Sequence, residues 1–180
     1  PPEDSFDSGT HGSHVAGIAA GTGGGQTAVD GSRYIGAAPG AWLINILACC
    51  EGDIEDIIEG AQWAIDNKEN LGIDVLTSSL GEQQFEIHID NDGSSAWSRQ
   101  MDAVADSGII TTLSAGNEFG GATIVGCNTI DSPGDANLPV TVASLDKNLD
   151  LAIYSSRGYT SDGRVKPDVA AIGSNIMAPD

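Results

Sequence analysis

Residues 94–117 read S-S-A-W-S-R-Q-M-D-A-V-A-D-S-G-I-I-T-T-L-S-A-G-N. Trp97, Met101, Val104 and Ala105 recur at the spacing that lines one face of a helix. Ser94 or Ser95 supplies the N-cap, and Gly108 closes the segment. Ile109-Ile110-Thr111-Thr112-Leu113 then has the β-branched character of a strand. A helix runs straight into a strand, and Ser114-Ala115-Gly116-Asn117-Glu118 follows the strand's carboxyl end.

The same alternation extends in both directions. Ile54, Ile57, Ile58, Ala61, Ala64 and Ile65 repeat at helical spacing. Asp53 is placed to cap that helix, and Glu55 and Asp56 put acids in its first turn, where the helix dipole favours them. Gly72 ends it, and Ile73-Asp74-Val75-Leu76 reads as the next strand. Upstream, Trp42-Leu43-Ile44-Asn45-Ile46-Leu47 is the apolar run of a buried parallel strand. Downstream, Pro139–Ala143 predicts another strand and Leu151–Tyr154 a further short one. Gly21–Gly25 predicts a surface loop. The pattern is α/β, with a mainly parallel sheet flanked by helices, and no repeat or interdomain linker interrupts it. In such sheets ligand sites gather beyond the carboxyl ends of the strands.

A chain of 180 residues suits one domain with a sizeable core. It carries 26 acidic against 7 basic residues, a net charge of −19, which argues against nucleic acid as a partner. The acids read as a strongly hydrated surface, with adaptation to high salt as the favoured cause. Ca²⁺ ligation by some of them is a third reading. No apolar run is long enough to span a membrane, and the opening Pro1-Pro2-Glu3-Asp4 is not a signal peptide. Cys49, Cys50 and Cys127 lack zinc-type spacing. They read as small buried residues, with one Cys127 pairing as the alternative.

The chemistry-bearing residues cluster in three places. Gly9–Gly17 reads G-T-H-G-S-H-V-A-G, with His11 and His14 three apart at the start of a small-residue helix. Taken alone, that pair also suits a metal, with Asp4 or Asp7 as further ligands, although an H-E-x-x-H spacing is absent. Ser78-Ser79-Leu80-Gly81 follows one predicted strand and Ser114–Glu118 another. Small residues there let a second backbone approach, and the Asn117 amide can donate a hydrogen bond. Each stretch singly reads as a strand-ending turn.

Together these stretches resemble the subtilisin-like serine peptidases (subtilases). His11–Gly17 is similar to the family's H-G-T-H-V-A-G, with Ser13 in place of Thr. Ser79-Leu80-Gly81 and Ala115-Gly116-Asn117 are similar to its S-L-G and A-G-N segments. Gly36-Ala37-Ala38-Pro39-Gly40-Ala41 resembles its G-V-A-P-G-A turn. Ser155-Ser156-Arg157-Gly158 and Lys166-Pro167-Asp168-Val169-Ala170-Ala171 resemble its S-S-R-G and K-P-D-V-x-A-P-G runs, with Ile172 where the proline stands. The matches keep family order across nearly the whole chain.

The resemblance implies a subtilisin-like three-layer architecture and hydrolysis of peptide bonds through an acyl-enzyme. It makes His11 the general base, His14 a structural neighbour, and Asn117 the oxyanion donor. Ser79, Leu80 and Gly81 would pair with the substrate main chain, and Ser114, Ala115 and Gly116 would form the opposite wall. Small residues in that wall predict a roomy pocket for an apolar side chain. The partner implied is a polypeptide substrate, outside the cell, with no cofactor for the chemistry, a structural Ca²⁺ permitted, and maturation by a propeptide permitted. No run in the chain matches a calcium loop well enough to name ligands, and oligomeric state is not implied.

Two departures accompany the match. The family order is Asp, His, Ser, yet Asp7-Ser8-Gly9 follows no apolar strand and sits too close to His11 to be the triad acid. The nucleophile's G-T-S-M-A-x-P motif does not occur. Residues 1–180 are therefore expected to form a partial peptidase domain, incomplete at both ends. With neither nucleophile nor orienting carboxylate, this chain alone is expected to be inactive. The competing reading is a non-catalytic relative that binds peptide or Ca²⁺.

Overall fold

The computed structural model describes residues 10–28, 30–48, 54–82, 91–119 and 128–178. The chain divides into two compact units, one of residues 1–51 with 175–180 and one of 52–174.

In the first unit, helix α1 (Thr10–Ala20) carries the histidine motif. Its last turn is closed by the turn at residues 36–38: Gly36 N–H donates to Gly21 O (2.8 Å), Ala37 N–H to Ile18 O (2.9 Å) and Ala38 N–H to Ala19 O (2.8 Å). These bonds satisfy carbonyls that a helix end leaves open. A Cβ on Gly36 would lie 2.4 Å from Gly21 N and 2.8 Å from Gly17 O, so only glycine permits this approach.

Two expectations fail in this unit. The glycine-rich stretch is not a loop: β1 (Thr22–Thr27) pairs antiparallel with β2 (Arg33–Ile35). The overlooked signal is Asp30-Gly31-Ser32, a hairpin-turn sequence. There Asp30 Oδ1 accepts from Ser32 N (2.9 Å) and Ser32 Oγ (2.6 Å), and these bonds hold its carboxyl below the usual range. Trp42–Leu47, conversely, forms no strand, and Trp42 is 98% exposed. An apolar run becomes a parallel strand only beside a pairing neighbour. The described residues of this unit provide only the β1–β2 hairpin, which is paired with itself.

In the second unit, α2 (Ile54–Leu71) and α3 (Ala96–Asp106) pack on each other, and α3 packs on the sheet. The sheet has the order β3-β4-β5-β8, comprising Val75–Ser78, Ile110–Ser114, Val140–Leu145 and Val169–Ile172, all parallel. This is the expected α/β class with a parallel sheet. Between the last two strands, β6 (Gly158–Tyr159) and β7 (Val165–Lys166) form a small antiparallel pair. The predicted strand at Leu151–Tyr154 shrinks to one bridge, Leu151 to Leu145. The Ser155 hydroxyl accepts the Ser144 N–H (3.0 Å) that a longer ladder would use. Asp53 and the three cysteines lie outside the described residues.

Alternation decides which side of the sheet is buried. Thr111, Leu113, Thr141 and Ala143 point into the core with Trp97, Met101 and Val104 of α3. Burying each large apolar side chain contributes roughly 1.5–3 kcal/mol. Val75, Ile110, Val140 and Val169, on the other face, remain exposed. Ser95 is the N-cap of α3, accepting from Ser98 N (2.9 Å). Ser98 is buried on the apolar face because its hydroxyl donates to Asp135, itself fully buried. Asp135 also accepts from Gly93 N (2.9 Å), tying the helix entry to the loop before β5.

Asp135→Ala would strand the Gly93 N–H in the core and leave the buried Ser98 hydroxyl with only the Ser95 and Ser132 hydroxyls as partners. It is expected to lower unfolding free energy by about 3 kcal/mol, and Ser95→Ala by about 1 kcal/mol, in urea titrations followed by tryptophan fluorescence. Losses below about 1 kcal/mol for Asp135→Ala would show that this network is not what anchors α3.

Candidate active site

The site residues singled out in the sequence fall in both units. In the first, His11 is the second residue of α1 and is exposed. His14, three positions on, is half-buried, and its Nε2–H donates to Ile176 O at 3.2 Å. That bond fits a structural role for the second histidine. Asp4 and Asp7 lie outside the described residues. Among the described residues, no three His, Cys, Asp or Glu side chains are grouped to hold a metal ion. Nor is any described helix long and apolar enough to cross a membrane.

In the second unit, parallel pairing brings two of the sequence stretches together. Ser78 is opposite Leu113 and Ser114 opposite Val142, so β3 and β4 end within one residue of each other while β5 runs on to Leu145. Segments 79–82 and 114–118 leave those ends as neighbours, with Ser114 Oγ donating to Leu80 O (3.2 Å). Glu82 N–H donates to Ser132 O (2.8 Å), which brings the loop before β5 under the first segment. Gly134 closes against the second: a Cβ there would meet Ser114 O at 2.7 Å. The site is thus the segments leaving the carboxyl ends of β3 and β4, stitched to the loop that leads into β5.

Asn117 stands at the rim. Ala115 N–H still donates to Val142 O (3.0 Å), extending the β4–β5 pairing by one residue. Gly116 then turns the chain with φ +103°, a conformation other residues rarely adopt. Asn117, directly after it, is exposed, and its side chain makes no hydrogen bond to the described residues. Its amide is therefore available to a ligand.

The S-S-R-G run has a role that sequence reading did not assign. Ser156 N–H donates to Gly116 O (3.0 Å), and the Ser156 hydroxyl accepts from Glu118 N–H (3.0 Å) while donating to Glu118 Oε2 (2.6 Å). The Arg157 guanidinium lies 3.6 Å from the centre of the Phe119 ring. These contacts fix the backbone on both sides of Asn117.

Three carboxylates were also missed. Glu82 and Glu118 each follow directly on a motif, Ser79-Leu80-Gly81 and Ala115-Gly116-Asn117, so proximity to the site was legible. Asp131 carries no such signal and is placed only by the fold, 4% exposed. Burial pushes its carboxyl from the ordinary 3.8 up to about 8, with Glu118, Glu82 and Asp135 adding to the push.

The family model described as the subtilase family, Peptidase S8, matches residues 1–179. Serine protease AprX of Bacillus subtilis is 33% identical over 96% of this chain and 40% of its own length. Subtilisin E of the same organism is 30% identical over 87% of this chain and 36% of its own. The chain therefore spans well under half of these relatives. Among solved structures, S41 psychrophilic protease superposes with a TM-score of 0.67 at 29% identity, covering 93% of this chain and 53% of that one. Sphericase gives 0.66 at 27%, covering 93% and 54%.

The raised carboxyl of Asp131 has a consequence for stability. Unfolded, it ionises near 3.8; folded, it keeps its proton to about 8. The native state binds more protons between those values, so stability falls as pH rises across that window. A full proton contributes about 1.4 kcal/mol per pH unit. Asp131→Asn is expected to match the parent near pH 4 and exceed it at pH 8 in denaturant titrations. Parallel curves for the two proteins from pH 4 to 8 would contradict this.

Proposed function

The chain belongs to the subtilase family, and from that membership we propose that residues 1–180 form part of a serine endopeptidase domain. His11 is the general base that takes the proton from the nucleophilic serine, so that the hydroxyl oxygen attacks the scissile carbonyl. The same imidazole then returns the proton to the leaving amine. Asn117 donates its side-chain N–H to the oxyanion of the tetrahedral intermediate. Ser79–Gly81 pairs with the substrate main chain as an added strand, and Ser114–Gly116 forms the facing wall. The observation that carries this reading is the unengaged Asn117 amide at the end of β4, on backbone held by Ser156 beside the hydrogen-bonded 79–82 segment.

The serine and the orienting aspartate are supplied by sequence other than the motifs found in this chain. The chemistry needs no cofactor, and a Ca²⁺ ion, where one binds, is structural. The substrate is a polypeptide met outside the cell.

The test is to express the complete reading frame that contains these residues, beside the 180-residue chain alone. The complete protein is expected to hydrolyse casein and to be labelled by a fluorophosphonate, and the chain alone to do neither. His11→Ala in the complete protein is expected to abolish turnover. Asn117→Ala is expected to cut it about 10²–10³-fold, the cost of losing such a donor in subtilisin. Full turnover in His11→Ala, or stoichiometric labelling of the chain alone, would overturn the assignment. A complete protein that binds peptide without cleaving it would make it a non-catalytic relative.

A further inference from the structure

Resting on the peptidase reading, we infer that Ser156 is a positioning residue for the reaction. Acting through Gly116 and Glu118, it sets the backbone from which the Asn117 amide meets the oxyanion.

The Asn117 side chain makes no hydrogen bond to the described residues, so its direction is inherited from its own backbone. One residue brackets that backbone. On the amino side, the Ser156 N–H donates to Gly116 O (3.0 Å). On the carboxyl side, the Glu118 N–H donates to Ser156 Oγ (3.0 Å), and the Ser156 hydroxyl donates to Glu118 Oε2 (2.6 Å). A serine hydroxyl has one proton to give and lone pairs to receive. Here both capacities are spent on Glu118, which folds that side chain back towards its own N–H. The chain on either side of Asn117 is thereby tied to a single point.

That point is itself held. Ser156 is fully buried. Before it, the Ser155 N–H donates to Ala152 O (3.0 Å), and the Ser155 hydroxyl accepts the N–H of Ser144 in β5 (3.0 Å). After it, the Arg157 N–H donates to Thr129 Oγ1 (3.0 Å) and Arg157 O accepts the Thr129 N–H (3.1 Å). Support therefore runs from the sheet, through Ser155 and Ser156, to the residues flanking Asn117. Gly116 completes the fit. A Cβ there would collide with the Glu118 carboxylate and lie 2.9 Å from Ser156 Oγ, so the close approach needs glycine as much as the positive φ does.

A donor stabilises a developing oxyanion best when it is already in place, because turning it during the reaction costs part of what the bond contributes. An asparagine on a loose turn samples many directions, and a fixed backbone narrows them. The substrate main chain is held by Ser79–Gly81 and Ser114–Gly116 without the amide. Loss of Ser156 is therefore felt in kcat and not in KM. Its size is bounded by what such a donor supplies in subtilisin, about 10²–10³-fold.

The experiment is a double-variant cycle in the complete protein, with a chromogenic peptide substrate and enzyme concentration set by fluorophosphonate titration. Ser156→Ala is expected to lower kcat about tenfold and leave KM within about twofold. In an Asn117→Ala background the same change is expected to lower kcat less than about twofold, since no amide is left to aim. Glu118→Ala keeps the Ser156–Gly116 bond and is expected to lower kcat severalfold, again only while Asn117 is present. Glu118→Gln retains an acceptor oxygen for the Ser156 hydroxyl and is expected to recover most of that loss. Glu118 is half-buried, so this pair carries the test if Ser156→Ala does not fold. Equal losses with and without Asn117, or a raised KM at unchanged kcat, would overturn the inference and leave the peptidase reading intact. So would a kcat that neither Ser156→Ala nor Glu118→Ala moves. A complete protein that cleaves no peptide would instead remove the peptidase reading, and this inference with it.

Discussion

In-register parallel pairing of β3 with β4 and of β4 with β5 is the constraint on which the candidate site depends. Parallel strands all run the same way, so their outgoing loops emerge on one side of the sheet. The Ser114–Leu80 and Glu82–Ser132 hydrogen bonds then lock those loops at one another's edges. A one-residue slip of β4 would turn Leu113 outward and Ser114 inward. It would also move Asn117 away from the turn that Gly116 and Ser156 define. The core and the site therefore share one determinant of register.

Much of this unit was legible as sequence, because its signals are local. The helical spacing of Trp97, Met101 and Val104 and the β-branched run after Gly108 specify α3 and β4 without outside help. The stop at Gly72 and the serine cap were readable for the same reason. Failures came where the outcome depends on a distant partner. Trp42–Leu47 has the composition of a strand, but composition does not supply a neighbour to pair with. Leu151–Tyr154 loses its ladder to the Ser155 hydroxyl, which accepts the Ser144 N–H. The hairpin of β1 and β2 was missed for the opposite reason, since glycines outweighed the turn signal at Asp30-Gly31.

The site divides along the same line. Its backbone parts, Ser79–Gly81 and Ser114–Asn117, are contiguous motifs and were found. Its electrostatic character comes from three positions separated by long stretches of chain, so it emerges only after folding. Burying Asp131 near Glu118 and Glu82 opposes stability where its carboxyl ionises, because burial first and those neighbours second disfavour its charged form. Ser156 offsets part of this by bonding Glu118, and hydrogen bonds from Gly93 and Ser98 do the same for Asp135.

The spacing of the strands along the chain carries a kinetic consequence. Val75 meets Ile110, Thr112 meets Val140, and Val142 meets Val169, so each pairing closes a loop of about thirty residues. Such non-local contacts are reached late, after chain entropy has been lost, and sheets built from them form slowly. The helices α2 and α3 can gather early from local signals, but the loops at the strand ends acquire their arrangement only when β5 docks. A partly folded chain of this kind would be helical yet lack the joined strand-end loops, so the candidate site would be assembled as the final step of folding.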